Sequence, residues 1–190
     1  LNIVRNGAQN GETSRGALSR FSADVAVWNP ALIIFQVFGL NDINANNNFS
    51  EAEIIANNRT HIDLCISTGA RVLVLTTTPV VSGEGRGNAA TMQRLANINR
   101  DAINYCRSKI TPNLAVVDAY TRILNPLDAT GYAAAGRLRA ADLVHYNYTG
   151  SALVLPECAK VLDAWFQPNT ATSNRCKSVM DCHQGNKLTI

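Results

Sequence analysis

Two kinds of apolar segment alternate along the chain. Four short runs rich in aliphatic and β-branched residues predict buried strands at 1–4, 31–38, 71–76 and 114–117. Between them, apolar residues recur at helical spacing and predict helices at about 15–28, 50–68, 89–109 and 149–165. Pro156 lies inside the last segment and predicts a kink or a late start of that helix. This alternation is typical of βαβ units, so the sequence predicts an α/β fold with a parallel sheet.

The chain changes character after Phe166. A polar linker follows, and no clear periodicity is visible beyond it. A chain of 190 residues is of ordinary size for a single domain. We therefore assign 1–167 to one domain and 168–190 to a polar tail that could lead to another domain.

Composition restricts the function classes. Hydrophobic residues make up 46% of the chain and charged residues 16%, and the net charge of +3 comes from scattered basic residues. Scattered charge of this size does not favour a nucleic-acid partner. No run of 18 apolar residues occurs, so no membrane span is predicted.

The five cysteines have different predicted roles. Three lie in apolar, helix-like segments and are expected to be buried free thiols: Cys65, Cys106 and Cys158. Cys176 and Cys182 lie in the polar tail with five residues between them, where a disulfide is one interpretation. A zinc site that includes His183 is the other, although no fourth ligand is evident and no metal site is assigned.

Two short motifs follow predicted strands. The segment 6–14 comes directly after the strand at 1–4, and by itself it indicates a glycine-rich turn with a helix cap at Thr13 or Ser14. Gly39-Leu40-Asn41-Asp42 follows the strand at 31–38. A glycine there allows a sharp turn, and the Asn41 amide can then donate a hydrogen bond into a cleft.

A third motif, Asp142-Leu143-Val144-His145, precedes the last predicted helix. A carboxylate three residues before an imidazole can accept its Nδ1–H, which leaves Nε2 available as a base. A histidine bonded to a nearby carbonyl is the plainer interpretation of this motif alone. However, the chance that this motif and the Gly39–Asp42 motif both arise by accident is about 0.01.

Together, the three motifs resemble the sequence blocks of the SGNH hydrolases, also called GDSL-type esterases and lipases. The resemblance covers about residues 1–166 and implies a three-layer α/β/α sandwich with a five-stranded parallel sheet, a flavodoxin-like arrangement. It implies that the Gly11 N–H and the Asn41 side chain form an oxyanion hole. It also implies that His145 is the catalytic base and that Asp142 orients it.

One block of the family is missing from this chain. The family's nucleophilic serine lies in a Gly-Asp-Ser sequence at the end of the first strand, and the chain contains no Gly-Asp-Ser. Ser14 is a poor substitute because it belongs to the glycine block, the segment 6–14 whose Asn10-Gly11-Glu12-Thr13 matches the family's second block. The domain at 1–167 is therefore expected to be N-terminally incomplete, with the serine on an upstream segment or a second chain. That strand would separate 1–4 from 31–38 by roughly 10 Å.

The resemblance implies a carboxylic ester hydrolase that requires no metal or organic cofactor. The polar segment 43–48 should overhang the site, which favours an O-acylated carbohydrate or a small ester over a lipid. Removal of acetyl groups from a polysaccharide by a secreted or virion-associated protein is the expected role.

A non-catalytic, SGNH-shaped module for carbohydrate binding or adhesion is the alternative, and the missing serine is its main support. A redox or dinucleotide-binding protein is disfavoured, because the chain contains neither G-x-G-x-x-G nor C-x-x-C.

Overall fold

The computed structural model describes residues 5–44, 47, 49–81, 87–124, 131–134, 136–139 and 144–167. Within these ranges the chain forms three strands: β1 (Leu32–Gln36), β2 (Arg71–Leu75) and β3 (Leu114–Val117). The same ranges contain six α-helices: α1 (Ser14–Asp24), α2 (Leu40–Ile43), α3 (Glu51–Ser67), α4 (Ala89–Ser108), α5 (Ala119–Ile123) and α6 (Tyr148–Phe166). None of these helices is long and apolar enough to cross a membrane.

The longer helices begin at side-chain caps that the sequence supplies. In each case a side-chain oxygen accepts a hydrogen bond from the backbone N–H three residues later. The capping residues of α1, α3, α4 and α6 are Thr13, Ser50, Asn88 and Asn147. Such caps satisfy N–H groups that the first helical turn leaves without partners, so they fix where each helix starts.

The strands of the described residues are parallel and have the order β1-β2-β3. Ile33 pairs with Val72, and Val72 pairs with Leu114, so the strands are in register across the sheet. Helices α3 and α4 connect successive strands as βαβ crossovers. All three strands therefore end at one edge of the sheet, which we call the C-terminal edge.

Helices cover both faces of the sheet. On one face, α1, α3 and α4 pack against alternate strand residues such as Ile33, Val72 and Val74. On the other face, α5 and α6 pack against Leu73 and Val117. The result is a three-layer α/β/α arrangement, and the predicted fold class is confirmed.

Strand β1 has an outer edge that pairs with none of the described residues. The strand register directs the backbone groups of Leu32, Ile34 and Gln36 away from β2. The Ile34 side chain is also 57% exposed, since α6 covers β2 and β3 on that face but not β1. Residues 1–4, predicted as a strand separated from β1, lie outside the described residues.

The observed elements match the predicted ones closely, with three differences. Helix α1 ends at Asp24, and a short 3-10 turn at Ala26–Trp28 completes the predicted segment. Helices α2 and α5 were not predicted, because four or five residues are too few for a visible period. Helix α6 runs through Pro156 from Tyr148, so the late start was wrong.

The predicted burial of three thiols is confirmed. Cys65, Cys106 and Cys158 are buried and free. Burial raises the pKa of Cys65 and of Cys106 to about 12, so these side chains behave as small apolar groups. Cys176, Cys182 and His183 lie outside the described residues.

Candidate active site

The glycine block forms a turn that leads into α1. Gly11 has a φ of +72°, a left-handed conformation that favours glycine. Thr13 caps the helix, with its hydroxyl accepting a hydrogen bond from the Gly16 N–H at 3.2 Å. Gly11 itself is exposed, and its N–H makes no hydrogen bond to the described residues. A backbone donor is therefore presented at the surface of this turn.

The Gly39–Asp42 motif turns the chain from β1 into α2. Gly39 is buried, and a Cβ there would lie 2.8 Å from Leu95 Cδ2 and 3.2 Å from Thr77 Cγ2. A larger residue would force the turn away from the β2 exit. The short helix α2 then carries Asn41 in its first turn.

The Asn41 side chain joins the two motifs. Its Nδ2 donates a hydrogen bond to the Glu12 carbonyl oxygen at 3.0 Å, and Glu12 directly follows Gly11. The Asn47 side chain in turn donates to the Asn41 carbonyl oxygen at 2.8 Å. The structure thus brings Asn41 beside the peptide that carries Gly11. One N–H of the amide is occupied by this bond, which fixes the orientation of the group.

His145 lies in an exposed segment just before α6. Its carbonyl oxygen accepts a hydrogen bond from Arg139 N at 2.8 Å, and Leu138 forms an antiparallel bridge with Tyr146. The preceding carbonyl, that of Val144, accepts a hydrogen bond from Thr78 Oγ1 at 3.4 Å. Thr77 and Thr78 follow β2, so the His145 segment and Gly39 flank the same strand exit. Asp142 lies outside the described residues.

Ser14 is buried and fully engaged in hydrogen bonds. Its N–H and Oγ–H both donate to Asp42 Oδ1, at 2.9 and 2.6 Å, and its Oγ accepts from Asn57 Nδ2 at 2.9 Å. The Ser14 carbonyl oxygen lies 3.1 Å from His61 Nε2. A serine, a histidine and an aspartate therefore meet without the geometry of a catalytic triad. The hydroxyl contacts the carboxylate rather than the imidazole, and Ser14 has no exposed surface.

Burial shifts the pKa of both titratable groups around Ser14. Burial raises the pKa of Asp42 above its ordinary value, and the hydrogen bonds from Ser14 only partly oppose this. Burial likewise lowers the pKa of His61, whose ring lies among Phe21, Phe35 and Phe38. A neutral imidazole is therefore favoured, with its Nε2–H donating to the Ser14 carbonyl.

Two buried asparagines hold the exits of β1 and β2. Asn58 of α3 accepts from the Phe38 N–H and donates to the Phe38 carbonyl, both at 2.9 Å. Asn99 of α4 makes the same pair of bonds to Thr77, at 2.9 and 3.2 Å. Continuing the β1–β2 register past Gln36 and Leu75 places Phe38 opposite Thr77. Each asparagine thus binds both the N–H and the carbonyl of one residue just after a strand, and we call these two pairs of bonds the asparagine clamps. They fix the backbone from which the loops of the site begin.

Sequence reasoning assigned no structural role to Asn58, His61 or Asn99. Asn58 and His61 lie in the buried stripe of α3, and Asn99 lies in that of α4. Polar residues at core positions of a helical period were the available signal. Among the described residues, no group of histidine, cysteine or acidic side chains could hold a metal ion.

No family model and no curated protein sequence matches this chain. Solved structures do match its fold. A GDSL-like lipase from Bacteroides thetaiotaomicron is 19% identical, with a TM-score of 0.67 over 81% of this chain and 73% of the lipase. A family 3 carbohydrate esterase from Talaromyces cellulolyticus is 18% identical, with a TM-score of 0.59 over 82% and 68%.

An acetylxylan esterase from Geobacillus stearothermophilus is 16% identical, with a TM-score of 0.58 over 84% of this chain and 69% of the esterase. At these identities the similarity concerns the arrangement of strands and helices. The chain has the three-layer α/β fold of the GDSL-type hydrolases.

Proposed function

We propose that the protein hydrolyses carboxylic esters. The observation that carries this proposal is the hydrogen bond from Asn41 Nδ2 to the Glu12 carbonyl, which joins residues 29 positions apart. It links the Gly39–Asp42 motif to the glycine block and brings two hydrogen-bond donors of different kinds, a backbone N–H and a side-chain amide, into one region. An oxyanion hole needs such fixed donors, aimed at the charge that develops on a carbonyl oxygen.

In the proposed reaction a serine hydroxyl attacks the ester carbonyl, and His145 accepts the serine proton. Asp142 stabilises the resulting imidazolium, while Gly11 N–H and Asn41 Nδ2–H stabilise the negative oxygen. His145 then protonates the departing alcohol. Water hydrolyses the acyl-enzyme by the same steps. We propose that the nucleophile comes from an upstream segment or a second chain. Ser14 does not fit the role, because it is buried and its hydroxyl is hydrogen-bonded to Asp42.

We further propose an O-acylated carbohydrate as substrate, with acetyl as the acyl group. The polar residues that follow Asn41 support a hydrophilic alcohol moiety, and the structural neighbours include a carbohydrate esterase and an acetylxylan esterase. A secreted or virion-associated location fits such a substrate.

Hydrolysis of p-nitrophenyl acetate by the protein expressed from its complete reading frame tests this function. His145→Ala is expected to abolish the activity, because it removes the base. Asp142→Asn is expected to leave weak residual activity, because the imidazole remains without its orienting carboxylate. Unchanged rates in His145→Ala would end the esterase assignment.

A non-catalytic carbohydrate-binding or adhesion module is the second candidate, and the lack of Gly-Asp-Ser in this sequence favours it. The same assay separates the two. A protein that binds acetylated xylan but has no His145-dependent hydrolysis would be a binding module.

A further inference from the structure

Asp42 directly follows Asn41, the proposed oxyanion donor, in the chain. Its carboxylate is buried and binds Ser14 of the glycine block. Asp42 has no exposed surface, and its Oδ1 accepts two hydrogen bonds from Ser14. Its backbone carbonyl accepts a hydrogen bond from the Phe49 N–H at 2.9 Å, which closes the loop after α2. Asp42 is thus fixed to Ser14, at the end of the glycine block, and to its own loop.

We propose that Asp42 is a positioning residue that holds the glycine block, through Ser14, in place against Asn41. As an account of catalysis this rests on the proposed esterase function, but the coupling itself is a property of the fold.

Three hydrogen bonds connect Asn41 and Asp42 of α2 to the chain that leads into α1. Asn41 Nδ2 binds the Glu12 carbonyl, and Asp42 Oδ1 binds Ser14, so consecutive residues of α2 bind residues just two apart at the start of α1. A single bond would let the glycine turn pivot about it. Attachment at two adjacent residues restricts both the distance and the orientation between Gly11 and Asn41. An oxyanion hole requires its donors to be held in position to within about 0.5 Å.

Ser14 is well suited to transmit this constraint. Its polar atoms bind buried or half-buried side chains of α2 and α3: Asp42, Asn57 and His61. Among the described residues, Asp42 Oδ2 is buried and has no hydrogen-bond partner. Burying Oδ2 without a hydrogen bond costs free energy of folding, and only Oδ1 makes compensating bonds, both to Ser14.

Asp118 offers a matched control. Its carboxylate also accepts from a backbone N–H and a hydroxyl at the start of a helix, those of Thr121, at 3.0 and 2.6 Å. It lies after β3, next to α5 rather than at the glycine block. Its Oδ1 also accepts a hydrogen bond from Thr76 Oγ1 at 3.3 Å. Asp118→Ala therefore removes the same type of contact at the exit of another strand, without touching the glycine block.

The kinetic test is a double-mutant cycle in the protein from its complete reading frame, with p-nitrophenyl acetate as substrate. Asp42→Ala is expected to lower kcat about 10- to 100-fold with little change in KM, since it misplaces the oxyanion donors. In an Asn41→Ala background the same change should cost less than about threefold. Asp42→Asn, which keeps Oδ1, should restore most of kcat, and Asp118→Ala should leave kcat unchanged. Additive losses for Asn41 and Asp42 would overturn the proposal.

Amide hydrogen exchange tests the coupling without any activity. Asp42→Ala should increase exchange at the Glu12 and Thr13 amides, whose hydrogen bonds go to Gln9 and to the Glu12 side chain rather than to Asp42. Asp42→Asn and Asp118→Ala should not. Unchanged exchange in Asp42→Ala would overturn the positioning role, even in an active esterase. If the wild type lacked esterase activity but exchange responded as expected, the proposed function would fail and the coupling through Ser14 would stand.

Discussion

Asn41 is the residue on which the proposed chemistry most directly depends. Its amide is oriented by the Glu12 carbonyl at the turn that carries Gly11. A donor fixed before the reaction stabilises developing charge without reorganisation, so its contribution belongs to the transition state rather than to substrate binding.

Asn41→Ala is therefore expected to lower kcat by about 10²- to 10³-fold and to change KM little. Steady-state hydrolysis of p-nitrophenyl acetate measures both quantities. An exposed asparagine of α4, Asn104, provides the control, since Asn104→Ala lies outside the site. A change confined to KM would mean that Asn41 binds the substrate in its ground state.

His61 shows how one buried residue makes stability depend on pH. Its pKa is lowered from 6.5 by burial, so the unfolded chain binds a proton more readily than the folded protein does. The stability that depends on a neutral His61 is fully present above pH 6.5. It is lost as the pH falls from 6.5 through the lower pKa that His61 has in the folded protein. Asp42 acts in the opposite sense, because a raised pKa makes ionisation above 3.8 cost stability.

We expect His61→Gln, which removes the titrating group, to reduce the loss of folding stability at acidic pH. Urea unfolding of wild type and variant at several pH values between about 5 and 8 measures it. The wild type should lose more stability than the variant as the pH falls. Since Asp42 is present in both proteins, its opposite contribution cancels in the comparison. Parallel losses in the two proteins would show that another group is responsible.

At the scale of elements, the helices fix the loops that leave the sheet. Asn58 and Asn99 bind register-matched peptides after β1 and β2. Both side chains are buried, so truncation would leave a backbone N–H and a carbonyl without partners in the core. The Asn58 clamp thus positions the chain before the Gly39 turn. The Asn99 clamp positions the Thr77–Thr78 segment, which contacts the residue before His145.

Asn58→Ala and Asn99→Ala are each expected to lower the free energy of unfolding by about 2–5 kcal/mol, since each leaves two buried groups unsatisfied. Asn104→Ala, at an exposed position of α4, should stay within about 0.5 kcal/mol of wild type. Equilibrium urea unfolding measures all three. If Asn58→Ala and Asn99→Ala lowered the free energy of unfolding as little as Asn104→Ala does, water would be replacing the hydrogen bonds of the asparagine side chains.

At the scale of the whole molecule, both edges of the described sheet direct backbone N–H groups outward. The register directs the N–H of Ile34 outward from β1 and that of Val116 outward from β3. In the proposed arrangement, a strand that ends in the nucleophilic serine lies against β1. It would cover the exposed Ile34 side chain and bring the serine to the C-terminal edge, where Asn41 and His145 lie.

This arrangement predicts different exchange rates at the two edges in the protein from its complete reading frame. The Ile34 amide should be strongly protected, and the Val116 amide, which has no such neighbour in the proposed arrangement, should exchange faster. Residue-resolved hydrogen exchange by NMR measures both. Fast exchange at Ile34, or direct pairing of 1–4 with β1 in an experimental structure, would contradict the serine-bearing strand.

Local pattern was enough to predict the α/β class, the three described strands, the four long helices and the three motifs. Strand and helix periods, together with a cap residue such as Thr13, are local properties that survive without tertiary contacts. Likewise, the apolar surroundings of Cys65 and Cys106 were enough to predict that they are buried. The motif at 142–145 was assigned in the same way, and its roles stay predictions because Asp142 lies outside the described residues.

Only the tertiary structure decided how the motifs meet. The bond from Asn41 to Glu12, the burial of Ser14 against Asp42, and the asparagine clamps join residues 20 to 29 positions apart in the sequence. No local period encodes such pairs, because each depends on how helices pack on the sheet. A serine that looked like a helix cap thus proved to be a buried hydrogen-bonding centre beside the proposed oxyanion hole.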